Sequence, residues 1–259
     1  MRYHIDTIPV WDAIKLDGEC FLCALHRKVE LGEAERCLGA SVMEPDTRIQ
    51  VNERGFCQHH QRMLFSMENR LGHALMLESH VAETRSRTQK TFSALQKAAK
   101  AYSDASLLSR ATSKGQNARR AYEEQARALS ALSHTCIMCD HITENMERYL
   151  RTFFHLYKTD TEFRRRFGEC KGVCLPHAAR LLALAPDELP AKELSAFADL
   201  LCNLETANLD RIQEDVSWFI KKFDYRYEKE PWKNSQDAVE RTVNKLRGWC
   251  VGKEPNPKE

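Results

Sequence analysis

Long apolar runs are missing from this sequence. No stretch of about 18 uninterrupted apolar residues occurs, so no membrane-spanning helix is predicted. The N-terminal stretch MRYHIDTIPVWDAIK mixes acidic, basic and apolar side chains and lacks the apolar core of a secretory signal. The net charge is only +2, because 39 Lys and Arg nearly balance 37 Asp and Glu, and it gives no global signal for a polyanion-binding protein. We therefore expect a cytoplasmic protein that does not enter a membrane.

Recognisable catalytic motifs are missing as well. The sequence has no G-x-S-x-G, Walker loop, dinucleotide-binding fingerprint or H-E-x-x-H. We therefore name no catalytic residue, find no indication of a small-molecule substrate, and lean towards a protein without enzyme activity. The 259 residues, 42% hydrophobic and 29% charged, are enough for one large domain or two small ones with a packed core.

Cysteine, in contrast, is abundant, with ten residues. Stable disulfides are rare in a reducing compartment, where pairs of cysteines more often bind metal or perform redox chemistry. The sequence contains two C-x-x-C pairs and two C-x-x-H pairs in the same order. From Cys23 to Cys57 is 57 − 23 = 34 positions, and from Cys139 to Cys174 is 174 − 139 = 35. The order C-x-x-C, gap, C-x-x-H thus occurs twice in the chain.

The repeat predicts two related helical halves. Apolar residues recur at intervals of three and four almost throughout, as expected for amphipathic helices, and strand-like alternation is limited to short pieces such as RIQV. The fold prediction is all-α, with two pseudo-symmetric helical units that are each stapled by a metal site. The predicted parts are a first repeat, a linker, a second repeat and a C-terminal tail with one helix: 1–105, 106–124, 125–228 and 229–259. The connection over 38–55 is expected to be irregular.

Each repeat predicts one metal site. Zn²⁺ is held by four thiolate or imidazole ligands, commonly two close pairs from distant parts of a chain. Each pair lies at an expected helix start, where the partial positive charge favours a thiolate. A full Cys3His shell leaves no open position, so we expect zinc to be mainly structural. The predicted ligands of the two sites are Cys20, Cys23, Cys57 and His60 in the first half, and Cys136, Cys139, Cys174 and His177 in the second.

Several alternatives stay open from the residues alone. Iron, an iron–sulfur cluster or thiol redox chemistry would use the same ligand types, and one cluster could then serve an enzyme or a redox or metal sensor. His59 and Cys170 are neighbouring donors that could support or replace a ligand. Buried thiols with hydrogen-bonded histidines and no metal are a further, less favoured alternative.

The middle of the chain is basic. Nine Lys or Arg lie between Thr84 and Arg120, against one acid, Asp104. A basic helical face can contact phosphates, although a solvated charged face is the commoner explanation of such a composition. The predicted partner is therefore a protein or a nucleic acid.

The sequence resembles a bacterial family described as a domain of unknown function with duplicated C-x-x-C and C-x-x-H motifs. The resemblance covers essentially the whole chain and leaves the Cys and His pattern unchanged. It implies one genuine whole-chain domain and brings no established activity. It rests on YHIDTIPVWDA (3–13), SVMEPD (41–46), GFCQHH (55–60), NRLGHALML (69–77), ENMERYL (144–150), GVCLPH (172–177) and FDYR with PWKNSQDAVERTVNKL (223–246).

Overall fold

A computed structural model describes residues 4–105 and 113–253 of the chain. Over these ranges it contains eleven α-helices, two short 3₁₀ helices (Ala40–Met43 and Tyr225–Tyr227) and no strand, which confirms the all-α prediction. None of these helices is long and apolar enough to cross a membrane. The α-helices in chain order are α1 (His4–Ile14), α2 (Phe21–Leu38), α3 (Pro45–Arg54), α4 (Gln58–Ser66), α5 (Arg70–Ser103), α6 (Ser113–Leu132), α7 (Ile137–Thr159), α8 (Thr161–Glu169), α9 (Leu175–Glu188), α10 (Ala191–Lys221) and α11 (Ala238–Arg247).

The chain divides into two compact units that do not coincide with the halves of the repeat. Unit 1 contains residues 1–29 and 144–259, and unit 2 contains residues 30–143. The units differ from the repeat halves because both unit boundaries lie within helices. The boundary after residue 29 lies in α2 of the first half, and the boundary after residue 143 lies in α7 of the second half. Residues 113–124 of the expected linker belong to helix α6, whereas 106–112 lie outside the described residues.

Unit 1 is built around a cluster of aromatic side chains. Phe153 lies at its centre and is fully buried. Its ring centroid is 4.9 Å from that of Phe167, 5.6 Å from Phe163 and 6.1 Å from Phe21. Such edge-to-face and stacked pairs add to the free energy gained by burying apolar area. Since Phe21 directly follows Cys20, this core fixes the position of the first predicted ligand pair.

Unit 2 has a smaller apolar core and corrects the expectation for 38–55. That connection is mostly helical, because Pro45 occupies the first turn of α3, where its missing N–H requires no partner. Val51 of α3 is buried with Met76 of α5 and Val42 of the 3₁₀ helix. Helix α3 is too short to show a clear period in the sequence. Helix α5 also packs along α6.

We expect Phe153→Ala to lower the free energy of unfolding by about 3–5 kcal/mol, because the change leaves a cavity in the aromatic core. Urea unfolding followed by circular dichroism measures this loss. Phe223→Ala is the matched control, because Phe223 belongs to the same unit and is 73% exposed; it should change the stability by less than about 1 kcal/mol. Equal losses in both variants would contradict the assignment of the core.

Candidate metal centres

Centre 1 lies within unit 1 and consists of Cys20, Cys23, Cys174 and His177, whose ligand atoms lie within 4.8 Å of one another. The His177 Nδ1 atom is 3.1 Å from the sulfur of Cys174, 3.4 Å from that of Cys20 and 3.6 Å from that of Cys23. The sulfurs of Cys23 and Cys174 are 3.6 Å apart. All four side chains are largely buried, and Cys20 and Cys23 line a cavity of about 470 Å³.

Centre 2 lies within unit 2 and consists of Cys57, His60, Cys136 and Cys139. The His60 Nδ1 atom is 3.2 Å from the sulfur of Cys136, 3.3 Å from that of Cys57 and 3.4 Å from that of Cys139. The sulfurs of Cys57 and Cys139 are 3.8 Å apart. Cys57 and Cys139 are partly exposed, so centre 2 is more open to solvent than centre 1.

The structure therefore brings all eight predicted residues into two Cys3His clusters, but the predicted combination of pairs is wrong. Each C-x-x-C meets the C-x-x-H of the other half of the repeat. Spacing alone does not distinguish the two combinations, because either one gives two Cys3His sets. Rigid helices separate the pairs within each half: α2 and α3 in the first, α7 and α8 in the second. The 18 residues of α2 extend about 27 Å, which carries the chain away from its own C-x-x-C.

Both donor sets fit a tetrahedral zinc ion. Zn–S bonds of about 2.3 Å and Zn–N bonds of about 2.0–2.1 Å place two sulfurs about 3.8 Å apart, and a sulfur and a nitrogen about 3.6 Å apart. The nitrogen–sulfur separations run from 3.1 to 3.6 Å, the sulfurs of Cys23 and Cys174 and of Cys57 and Cys139 lie 3.6 and 3.8 Å apart, and all ligand atoms of a centre lie within 4.8 Å of one another. Binding an ion would therefore require ligand movements of about 1 Å or less.

Helix N-termini surround both centres. Cys174 and Cys57 are the extended N-cap residues of α9 and α4. Cys20 and Cys136 directly precede α2 and α7. Each centre thus collects the N-terminal ends of two helices, and the partial positive charge there stabilises thiolates. This arrangement confirms the expectation that every ligand pair lies at a helix start.

The thiols of centre 1 are electrostatically unequal. Hydrogen bonds from Cys174 and Cys20 lower the pKa of Cys23 to about 4. Burial raises the pKa of Cys20 well above its usual value. Without a cation, Cys23 is therefore stabilised as a thiolate while Cys20 keeps its proton, which a bound metal ion would replace.

Centre 2 shows the same inequality. Burial alone would raise the pKa of Cys136, but hydrogen bonds from His60 and from the backbone N–H groups of Cys57 and Cys139 outweigh it and lower the pKa to about 6. Burial, followed by the neighbouring Cys136 charge, raises the pKa of Cys139. Each centre thus has one thiol with a lowered pKa beside one with a raised pKa.

A glycine with positive φ precedes each C-x-x-H by two residues. Gly55 has φ +59° and Gly172 has φ +73°, a region that side-chain-bearing residues rarely adopt. A Cβ atom at Gly172 would overlap the Glu205 carboxylate, and one at Gly55 would lie 2.6 Å from Nε2 of His80. The motif that orients these ligands is therefore G-x-C-x-x-H. The glycine stands at the same place in GFCQHH and GVCLPH.

The C-terminal segment contributes to centre 1 in a way that the sequence did not predict. Lys245 of α11 is fully buried, with Nζ 2.8 Å from Oε2 of Glu205. The other Glu205 oxygen accepts a 2.6 Å hydrogen bond from the N–H of Val173, beside the ligand pair. The N–H of Trp249 donates to the Cys23 sulfur at 3.3 Å. Lysine is normally exposed, so nothing in the sequence marks Lys245 as a buried partner.

His59, the additional histidine of GFCQHH, belongs to the surroundings of centre 2. The buried carboxylate of Glu30 lies 2.6 Å from Nε2 of His59 and 3.4 Å from Nε2 of His60. Burial alone would lower the pKa of His60, but hydrogen bonding to Cys136 and Glu30 raises it to about 10. A carboxylate behind a ligating imidazole orients the ring and increases its basicity. Glu30 was not predicted, because nothing in the sequence links it to a motif 29 residues away.

The start of α7 is attached to the loop that carries Gly55. The N–H of Ile137 donates to the Gly55 carbonyl at 3.0 Å, and the Thr135 hydroxyl donates to the Arg54 carbonyl at 2.5 Å. The Arg54 guanidinium pairs with the Asp140 carboxylate at 2.7 Å. These contacts hold the two ligand pairs of centre 2 against each other.

Cys170 does not join either centre. Its sulfur accepts a 3.3 Å hydrogen bond from the N–H of Gly172, and burial raises its pKa. Cys37 is buried, which raises its pKa to about 11, whereas Cys202 and Cys250 are exposed. Raised pKa values make Cys170 and Cys37 weak nucleophiles at neutral pH.

A family model described as "Family of unknown function (DUF6062)" matches residues 1–253. The chain belongs to the DUF6062 family. The match confirms the whole-chain resemblance. No curated protein and no solved structure matches the chain significantly. The family description names no activity, so the two candidate metal-binding groups are the chemical feature from which a role for this DUF6062 chain can be inferred.

We expect Gly172→Ala to lower the free energy of unfolding by about 1–3 kcal/mol, because the new methyl group meets the Glu205 carboxylate in a strained backbone conformation. Gly18→Ala is the control, since a Cβ atom there meets nothing within 4 Å and φ is not positive. Urea unfolding should show Gly18→Ala unchanged or up to about 1 kcal/mol more stable. If the two variants were equally stable, Gly172 would not shape centre 1.

The combination of pairs can be tested by thiol labelling. We expect Cys174→Ser to increase the alkylation rates of Cys20 and Cys23 about tenfold or more, because about 1.4 kcal/mol of lost local stability is a tenfold change in opening. Cys136 and Cys139 should keep their rates. A pulse of iodoacetamide followed by peptide mass spectrometry gives all four rates.

Cys57→Ser should instead increase the alkylation rates of Cys136 and Cys139 and leave those of Cys20 and Cys23 unchanged. Cys202→Ser, at an exposed thiol outside both centres, should change none of the rates. If Cys174→Ser activated Cys136 and Cys139 instead, the combination predicted from the sequence would be correct and the one in the structure would not.

Proposed function

We propose that the protein binds two zinc ions, one in each centre, and that zinc holds the helices together rather than taking part in a reaction. The observation that carries the proposal is the convergence of three sulfurs and one imidazole nitrogen in each centre, at separations that suit a tetrahedral ion. Sulfur-rich sets of this kind select zinc or iron over magnesium or calcium. Two unlike pairs from distant segments are typical of structural zinc sites.

The coordination number supports a structural role. Catalytic zinc usually has three protein ligands and a fourth position for water or substrate. Each centre here offers four ligands, and in centre 1 all of them are buried. A bound ion would thus have no free position facing solvent.

Structural zinc implies that function lies on the surface that the metal stabilises. We propose that the chain is a helical scaffold that binds a macromolecular partner. The long exposed faces of α5 and α6 support this role, because many of their polar side chains do not contribute to the core.

The proposal is tested by measuring the metal content of protein purified without added metal or chelator. We expect about two zinc ions per chain by elemental mass spectrometry, with no visible absorption. Cys57→Ser and Cys174→Ser should each retain about one, because each removes a ligand from a different centre. Cys202→Ser should retain both.

Iron with visible absorption would contradict the zinc assignment and favour electron transfer or sensing. Metal-free protein with titratable thiols at all six cysteines of the two centres would favour thiol redox chemistry. If zinc removal by a chelator left the melting temperature unchanged, the ion would not be structural, because a ligand that binds the folded state must stabilise it.

A further inference from the structure

Helix α5 carries a row of cations on its solvent-facing side, here called the cationic stripe: Arg85, Lys90, Lys97 and Lys100. All four are exposed. None forms an ion pair within residues 4–105 and 113–253, whereas their neighbour Arg87 pairs with Glu83 at 2.8 Å. Their charges are therefore not neutralised by ion pairs within the described part of the chain.

The stripe occupies one face of the helix. At 3.6 residues per turn, its four positions fall within an arc of about 140°, and they extend about 22 Å along the axis. Ala98, on the opposite face, is buried. Between the cations lie exposed hydrogen-bonding side chains, Gln89, Ser93 and Gln96. No carboxylate occurs on α5 after Glu83.

We propose that the cationic stripe binds the phosphate backbone of double-stranded DNA. This inference rests on the proposed scaffold role and names its partner. Duplex DNA carries one negative charge per about 1.7 Å, and its major groove, about 12 Å wide, admits an α-helix. The amide side chains of Gln89 and Gln96 between the cations can donate to further phosphate oxygens, whereas the Ser93 hydroxyl donates to the Gln89 carbonyl at 2.9 Å. The stripe would span about six base pairs at a rise of about 3.4 Å.

Other partners suit the stripe less well. A protein interface normally has an apolar, aromatic-rich centre, and the stripe is polar over its whole length. Single-stranded nucleic acid is bound by stacking successive bases on several aromatic side chains; on the described part of α5 after Met76, Phe92 is the one exposed aromatic ring. The major groove of duplex RNA is too deep and narrow for side chains to read.

The test is fluorescence anisotropy with a labelled 20-base-pair DNA duplex over a range of salt concentrations. Each phosphate contact contributes about 0.9 to the slope of log affinity against log salt. The variant R85Q/K90Q/K97Q/K100Q should therefore lose up to about 3.6 from that slope and bind at least about tenfold more weakly at low salt. The wild-type protein should bind with a steep salt dependence.

The matched control removes four exposed cations from other surfaces, R62Q/K192Q/K221Q/K229Q, and changes the net charge equally. It should bind like the wild type. The inference is overturned if the wild type does not bind, if both variants lose affinity equally, or if the single strand or an RNA duplex of the same sequence binds more tightly. Displacement by polyglutamate as efficiently as by unlabelled DNA would also overturn it, in favour of an acidic protein.

Zinc content separates this inference from the proposed function. Both variants should contain as much zinc as the wild type, because none of the substituted residues belongs to a centre. If the protein contains zinc but does not bind DNA, only the DNA inference is overturned. If it binds DNA but contains no zinc, only the structural role of zinc is overturned.

Discussion

Each Cys3His centre joins the N-terminal ends of two helices that the chain brings together from distant positions. Cys23 and Cys174 are 151 positions apart, and Cys57 and Cys139 are 82 apart. Closing such long loops costs conformational entropy, and the folded chain must recover it where the segments meet. In unit 1 the aromatic core offsets part of this entropy cost, because Phe21 fixes the start of α2 in the core. A metal ion would add ligand bonds that the unfolded chain cannot make in this geometry.

The two centres have the same donors and different surroundings. With zinc and three thiolates, each would have a net charge of about −1. At centre 1 the buried Lys245 offsets that charge, although its pairing with Glu205 limits the effect. Centre 2 has the carboxylate of Glu30 behind His60, which adds negative charge, and its sulfurs are more exposed to water. Its charge is therefore balanced by solvent and helix ends, so centre 2 should exchange its metal more readily.

The helical fold and the eight residues that gather in the two clusters could be predicted from the sequence, because motif spacing and helical periodicity are local properties. The sequence did not identify which pairs meet, because that depends on where α2 and α7 lead the chain. Glu30 and Lys245 could not be predicted from the sequence, because neither residue lies in a motif. Their contacts with the groups behind the ligands depend on how the helices pack. Gly55 and Gly172 could have been found, since a glycine at the same offset in both repeats indicates a positive φ.

The cationic stripe differs from both centres because folding does not require it. After Met76, Ala98 is the one buried residue of α5 in the described chain, so packing restricts few of the later positions. Exposed charges contribute little to stability, and like charges along one face repel one another. A sequence shaped by folding alone would mix acids with these bases, as α6 does with Arg119 and Glu123. An acid-free face over four turns is the arrangement that the proposed binding of a phosphate backbone requires, since a carboxylate there would repel the phosphates.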